Sequence, residues 1–285
     1  MRVLGVVVAA CVAMGAMGCV GPAPGGGGGG GAFRFAWGPG EVALEETVER
    51  DADVFTLSWR AQVMSEGDRL RVVFSQASLV EGSKEELGPD GNHPFFQVMP
   101  DLVVEAKTGR LVAVERIDEA LAESGRMGLA TKAEERSLGS VRTKEAVEAR
   151  ARERWEHWVR LAGFKHKVGT SEDKQKLKLE NGQEMPVVTK TSHERDGELA
   201  RVSLVRSFSG ATVTKVYKAV LAAEGAPADV VEAVEKVLRE ERYEASLEPK
   251  TLRPRRIVSR EVTTEHSKGD KVLLRAASQT WTFVW

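Results

Sequence analysis

The strict alternation between Asp53 and Met64 constrains this chain more than any other stretch. Phe55, Leu57, Trp59, Ala61 and Val63 fall on one side, and Thr56, Ser58, Arg60 and Gln62 on the other. That period of two belongs to a half-buried strand. The turn sequence Ser65-Glu66-Gly67-Asp68 follows, and alternation resumes through Leu70, Val72 and Phe74. A β-hairpin accounts for both runs. The same device recurs around Lys107-Thr108-Gly109-Arg110, Asn181-Gly182-Gln183, Arg195-Asp196-Gly197-Glu198 and Ser267-Lys268-Gly269-Asp270. Asn-Gly and Asp-Gly supply the positive φ angles that tight hairpins require. Repeated hairpins predict a largely antiparallel sheet. Several runs reach about ten residues, beyond the common 5–6, and strands of that length twist and coil instead of lying flat.

Helical periodicity interrupts the strands. Thr143 is the expected N-cap of a helix whose stripe is Val147, Ala151, Trp155, Trp158 and Ala162, with Gly163 as its stop. His157 lies off that stripe and is expected to face solvent. A second helix is expected to start at Pro227 and to bury Val230, Val234, Val237 and Leu238. A shorter one is expected from Ile117 toward Ser124. The predicted fold class is therefore α+β: a long-stranded, curved, half-barrel-like antiparallel sheet with two or three packed helices. It forms one body over residues 33–285, in two similar halves at about 33–165 and 170–285. In layout, curved antiparallel sheets with helices on one face resemble the unclosed barrels of bacterial lipoprotein carriers such as LolA and LolB. The resemblance implies an apolar concave face able to hold an acyl chain or another apolar ligand.

The N-terminus carries an address. Arg2 precedes an uncharged stretch, Val3 to Val20, with small residues before Cys19, the pattern of an export signal. Ala16-Met17-Gly18-Cys19 resembles the lipobox of bacterial lipoproteins. The resemblance implies cleavage after residue 18 and acylation of Cys19, with palmitate-type chains as the membrane anchor. Plain cleavage after Gly18 and an uncleaved span, for which 18 apolar residues suffice, are the alternatives. Residues 19–32, with seven consecutive glycines from Gly25, read as a tether with an r.m.s. reach of about 20 Å. The implied location is the bacterial cell envelope, at the outer membrane or the periplasmic face before the inner membrane.

Composition and motifs exclude several activities. Forty-one Lys and Arg against 42 Asp and Glu give no field to attract nucleic acid. Cys11 and Cys19 are the only cysteines, so a processed chain has no intramolecular disulfide. The five histidines form no H-E-x-x-H, and no Walker A, G-x-S-x-G or dinucleotide fingerprint occurs. No enzyme, cofactor or metal is expected. Asp51 and Asp53 read as turn chemistry. Two stretches remain as candidate binding residues. The loop from Gly88 to Pro100 carries Phe95, Phe96 and Met99, candidates for contacting a ligand. Arg253, Arg255, Arg256 and Arg260 are candidates for an anionic contact or an acidic partner. The expected function is non-enzymatic binding of an apolar ligand or envelope partner. The alternative is a scaffold that tethers a protein partner near the membrane.

Overall fold

The computed structural model describes residues 33–50, 53–75, 78–81, 99–126, 143–165, 167–178, 184–223, 225–267 and 270–285. Cys19, the signal and tether, Phe95, Phe96, His93, His166 and Asp51 lie outside the described residues. The strands are β1 (Gly40–Arg50), β2 (Asp53–Glu66), β3 (Arg69–Phe74), β4 (Ser78–Glu81), β5 (Asp101–Glu105), β6 (Leu111–Glu115), β7 (Gly169–Lys178), β8 (Glu184–Asp196), β9 (Leu199–Phe208), β10 (Val234–Leu247), β11 (Pro254–Ser267) and β12 (Asp270–Val284). The helices are α1 (Ile117–Arg126), α2 (Lys144–Val159), α3 (Gly210–Ala223) and α4 (Ala228–Ala233).

All twelve strands join one antiparallel sheet in the order β6-β5-β3-β2-β1-β12-β11-β10-β9-β8-β7, with β4 pairing β2 beside β3. The sheet is curved and unclosed, and β6 and β7 are its edges. It is the α+β half-barrel that the alternating runs predict, with four described helices where two or three were expected. The hairpin turns fall where Gly punctuates: Gly67 and Gly197 both take positive φ between paired strands.

Register fixes which side chains share a face, because directly opposed residues of an antiparallel pair point the same way. Val202 opposes Ala245, Leu204 opposes Tyr243 and Arg206 opposes Glu241. Ala245, Tyr243 and Glu241 in turn oppose Ile257, Ser259 and Glu261. Both helical layers pack on this side, which we call the inner face. Over one end lies α2, whose Trp155 and Trp158 are buried against Phe35, Trp37, Phe74 and Phe283. Over the other lies α3, whose Val213, Tyr217 and Leu221 bury against Met185, Val187, Phe208, Val234 and Val237.

Thr143 caps α2 as expected, its Oγ1 accepting from the Ala146 N–H at 3.1 Å. The chain before β1 straps the same core. Phe33, Phe35 and Trp37 are buried, the Phe33 N–H bonds the Phe164 carbonyl, and the Trp37 indole N–H bonds that of Leu252. At Gly109 the backbone takes φ +73°, and a methyl group there would meet the Phe35 ring at 2.6 Å. Only glycine fits this close approach, which lets Trp155 Nε1 donate to the Gly109 carbonyl at 2.7 Å.

Two helical expectations are corrected. The segment from Pro227 is helical only through Ala233, and Val234, Val237 and Leu238 belong to β10. A β-bulge between Val234 and Lys236 shifts the strand's phase, so Val234 and Val237 fall three apart and imitate a helical stripe. Leu238, expected to be buried, is 36% exposed. His157 is the second correction, being 8% exposed instead of solvated. The inner face wraps far enough around α2 that its buried arc includes Arg154 and His157 beside Val147, Ala151, Trp155 and Trp158 of the predicted stripe, whereas Ala162 lies past the helix end and is only partly buried.

Candidate functional site

Between the two apolar clusters the inner face changes character. Continuing from Tyr243 toward Val237 along β10, the inward positions are Glu241 and Arg239; Glu261 and Thr263 oppose them on β11, and Arg206 opposes Glu241 on β9. Alternation fixes these positions as inward. Sheet positions between two covered ends would ordinarily be apolar. Arg239 is buried, its guanidinium 5.2 Å from the Phe208 ring centroid. Arg239 Nη2 lies 2.8 Å from Glu241 Oε1 and 3.5 Å from Glu261 Oε1. Arg206 Nη1 approaches Glu241 Oε2 at 3.8 Å. The side chains of Arg206, Glu241 and Glu261 remain between 17% and 29% exposed, so water reaches the belt they form.

His157 borders the belt on the α2 side. Its Nδ1 donates to the Glu153 carbonyl at 2.8 Å, and its ring lies 5.6 Å from that of Trp281. Burial, aided by Arg160, pushes the imidazole below the usual histidine range, against the Glu153 carbonyl bond and the charges of Glu153 and Glu241. The Tyr243 hydroxyl donates to the His157 carbonyl at 2.9 Å, and the Arg160 guanidinium stacks 5.0 Å from the Tyr243 ring. The result is a partly exposed ionic belt, flanked by a neutral imidazole on one side and by Phe208 on the other. Its carboxylates are engaged by arginines, an arrangement suited to holding a polar surface. Among the described residues no group of three or more His, Cys, Asp or Glu side chains could hold a metal ion.

The predicted site residues are dispersed. Met99 is buried beneath α2, where its Sδ accepts from Arg154 Nη1 at 2.9 Å. Arg253 stacks 4.9 Å from the Trp285 ring, and Arg255 Nη2 pairs with Glu248 at 2.7 Å. Arg256 and Arg260 are exposed at alternate positions on the outer face of β11. Met99 and the exposed arginines therefore belong to opposite faces. The belt itself is missing from the sequence reading, since Arg239 and Glu241 were hidden by the helical reading of β10's start. Once β10 is a strand, the series Val237, Arg239, Glu241, Tyr243, Ala245 carries the signal.

Among the described residues no helix is long and apolar enough to cross a membrane. No protein-family model matches the chain, and no curated protein sequence is significantly similar to it.

Proposed function

We propose that the chain is an envelope lipoprotein acylated at Cys19, and that its body is a non-enzymatic binding protein which receives an envelope partner at the inner-face ionic belt. The address rests on the export-signal pattern and the lipobox-like Ala16-Met17-Gly18-Cys19. One observation carries the binding reading: a buried Arg239 and the partly exposed Arg206, Glu241 and Glu261 cross the inner face between two packed apolar clusters. Charges on the inner side of a sheet cost desolvation, and a polar partner seated on them would offset part of that cost. A polar protein surface matches such a belt better than a bare acyl chain. The apolar part of this face is already filled by Trp155, Trp158 and the strap from Phe33 to Trp37. An acyl chain would have to displace them.

Gln279 and Thr280 are neighbours on opposite faces of β12, opposing Ser259 and Val258 respectively. A photo-crosslinking residue at Gln279, in cells, should capture a protein partner that the same residue at Thr280 does not. Lipid adducts at Gln279 would favour the apolar-ligand reading. Equal capture at both positions, or none at either, would sink the inner-face reading. For the anchor, Cys19→Ala should abolish incorporation of labelled fatty acid.

A further inference from the structure

The outer face of the sheet carries a second feature, which adjoins the inner belt at Arg239 and Phe208. Arg242 on β10 and Arg260 on β11 oppose each other directly. Like charges in that position destabilise a sheet. Arg242 has Glu240 and Glu244 at 3.7 and 3.6 Å, too long for hydrogen bonds, and all three side chains are about half exposed. Among the described residues no carboxylate lies within ion-pair distance of Arg260. Arg242 and Arg260 line a groove of about 470 Å³ together with Ser207, Glu240, Leu238, Val262 and Thr264, and Arg239 and Phe208 of the inner-face belt border it as well. Two opposed arginines, one of them flanked by two loosely placed carboxylates, facing an open groove with hydroxyl groups and an apolar wall beside them, have the makings of an oxyanion site.

We infer that this groove binds a phosphate-type oxyanion, held between Arg242 and Arg260, with Ser207 and Thr264 as hydroxyl partners and Leu238 and Val262 against the body that bears it. The chemistry is that of a free phosphate or of an anionic lipid head. Glu240 at the rim limits the site to one such group, since a second anion would meet its carboxylate. The groove assigns a role to Arg260 and adds Arg242, from another strand, as its counterpart.

A site of this kind exchanges stability for binding, which gives the test its sign. In chloride at fixed ionic strength, Arg260→Gln should melt at or above the temperature of the unmodified chain, because repulsion with Arg242 is relieved. With inorganic phosphate replacing chloride, the unmodified chain should gain in Tm and Arg260→Gln should not. Titration calorimetry should show about tenfold or greater loss of phosphate affinity in the variant. Monomeric dihexanoyl phosphatidylglycerol binding more tightly than phosphate, with dihexanoyl phosphatidylcholine silent, would identify a lipid head as the source. Phosphate binding without that gain would identify a free oxyanion. An Arg260→Gln chain less stable in chloride, or an unmodified chain indifferent to both anionic probes, would overturn the inference.

Discussion

Glu46 occupies an inward position of β1 between Leu44 and Val48, and it is fully buried. Arg154 of α2 reaches it, Nη2 to Oε2 at 2.8 Å, with its guanidinium 5.4 Å from the Trp59 ring centroid. Burial raises the Glu46 carboxyl above its ordinary value of 4.5, and the charge and hydrogen bond of Arg154 oppose the rise. Arg154→Met removes that opposition and leaves a carboxylate alone in the core. At neutral pH this should cost about 3–5 kcal/mol, the usual consequence of breaking a buried pair. The lone carboxyl is then raised further, so the folded state holds a proton that the unfolded state has released. Stability should recover as pH falls toward 4.5 and be lost as pH rises through the folded value. The double variant Glu46→Leu/Arg154→Met should restore stability and remove the pH dependence. Urea unfolding at pH 5 and pH 8 measures both. The same glutamate explains why β1 is not legible in the sequence: Val42, Leu44 and Val48 alternate correctly, but a charge breaks the series at its centre.

Among the elements, legibility follows locality. Hairpins whose two strands share a short turn announce themselves, as do the cap and stripe of α2. The β9-to-β10 connection does not, since its logic is tertiary. Val213, Tyr217 and Leu221 give α3 a stripe four residues apart, a readable signal that the neighbouring strand runs obscure. What decides that Val234 begins a strand is pairing with β11 and cover from α3. The contact between them is specific. Pairing of β10 with β9 begins only at Glu240, and the Val237 N–H beyond it bonds Thr214 Oγ1 at 2.7 Å. That hydroxyl donates in turn to the Gly210 carbonyl at 2.6 Å. A helix side chain thus takes the place of a missing strand. Thr214→Val keeps the shape and strips the acceptor, leaving a part-buried N–H unsatisfied. The expected loss is about 1–3 kcal/mol in chemical denaturation, larger than the helix-propensity difference between the two β-branched residues.

On the scale of the molecule, the first and last described strands meet in the middle of the sheet. Ala43 opposes Val284 and Arg50 opposes Ala277, so six consecutive strands lie on each side of a seam made by the first and last described strands. No local pattern encodes such a pairing, which is why the hairpins were readable and the way their two groups join was not. The seam also concentrates aromatic packing. Trp281 and Phe283 are buried, and Trp285 lies 4.6 Å from Trp37 while its Nε1 donates to the Pro254 carbonyl. The outer edge β7 is guarded differently: Glu172, Asp173, Lys174 and Lys176 line it with charge, which discourages pairing with another sheet. A central seam of high sequence separation carries the entropic cost of closing a loop of almost the whole described chain. Deleting Gln279–Trp285 should therefore do more than shorten one strand. It leaves most of the β1 edge unpaired, with Val42 and Leu44 bare, and takes three aromatic side chains from under α2 and the strap. Limited proteolysis followed by mass spectrometry should find no resistant fragment in the truncated chain, against a resistant body from about residue 33 in the intact one. Survival of a fragment spanning about 33–165 would mean instead that the strands before the seam fold without it, and that the seam joins two units already formed.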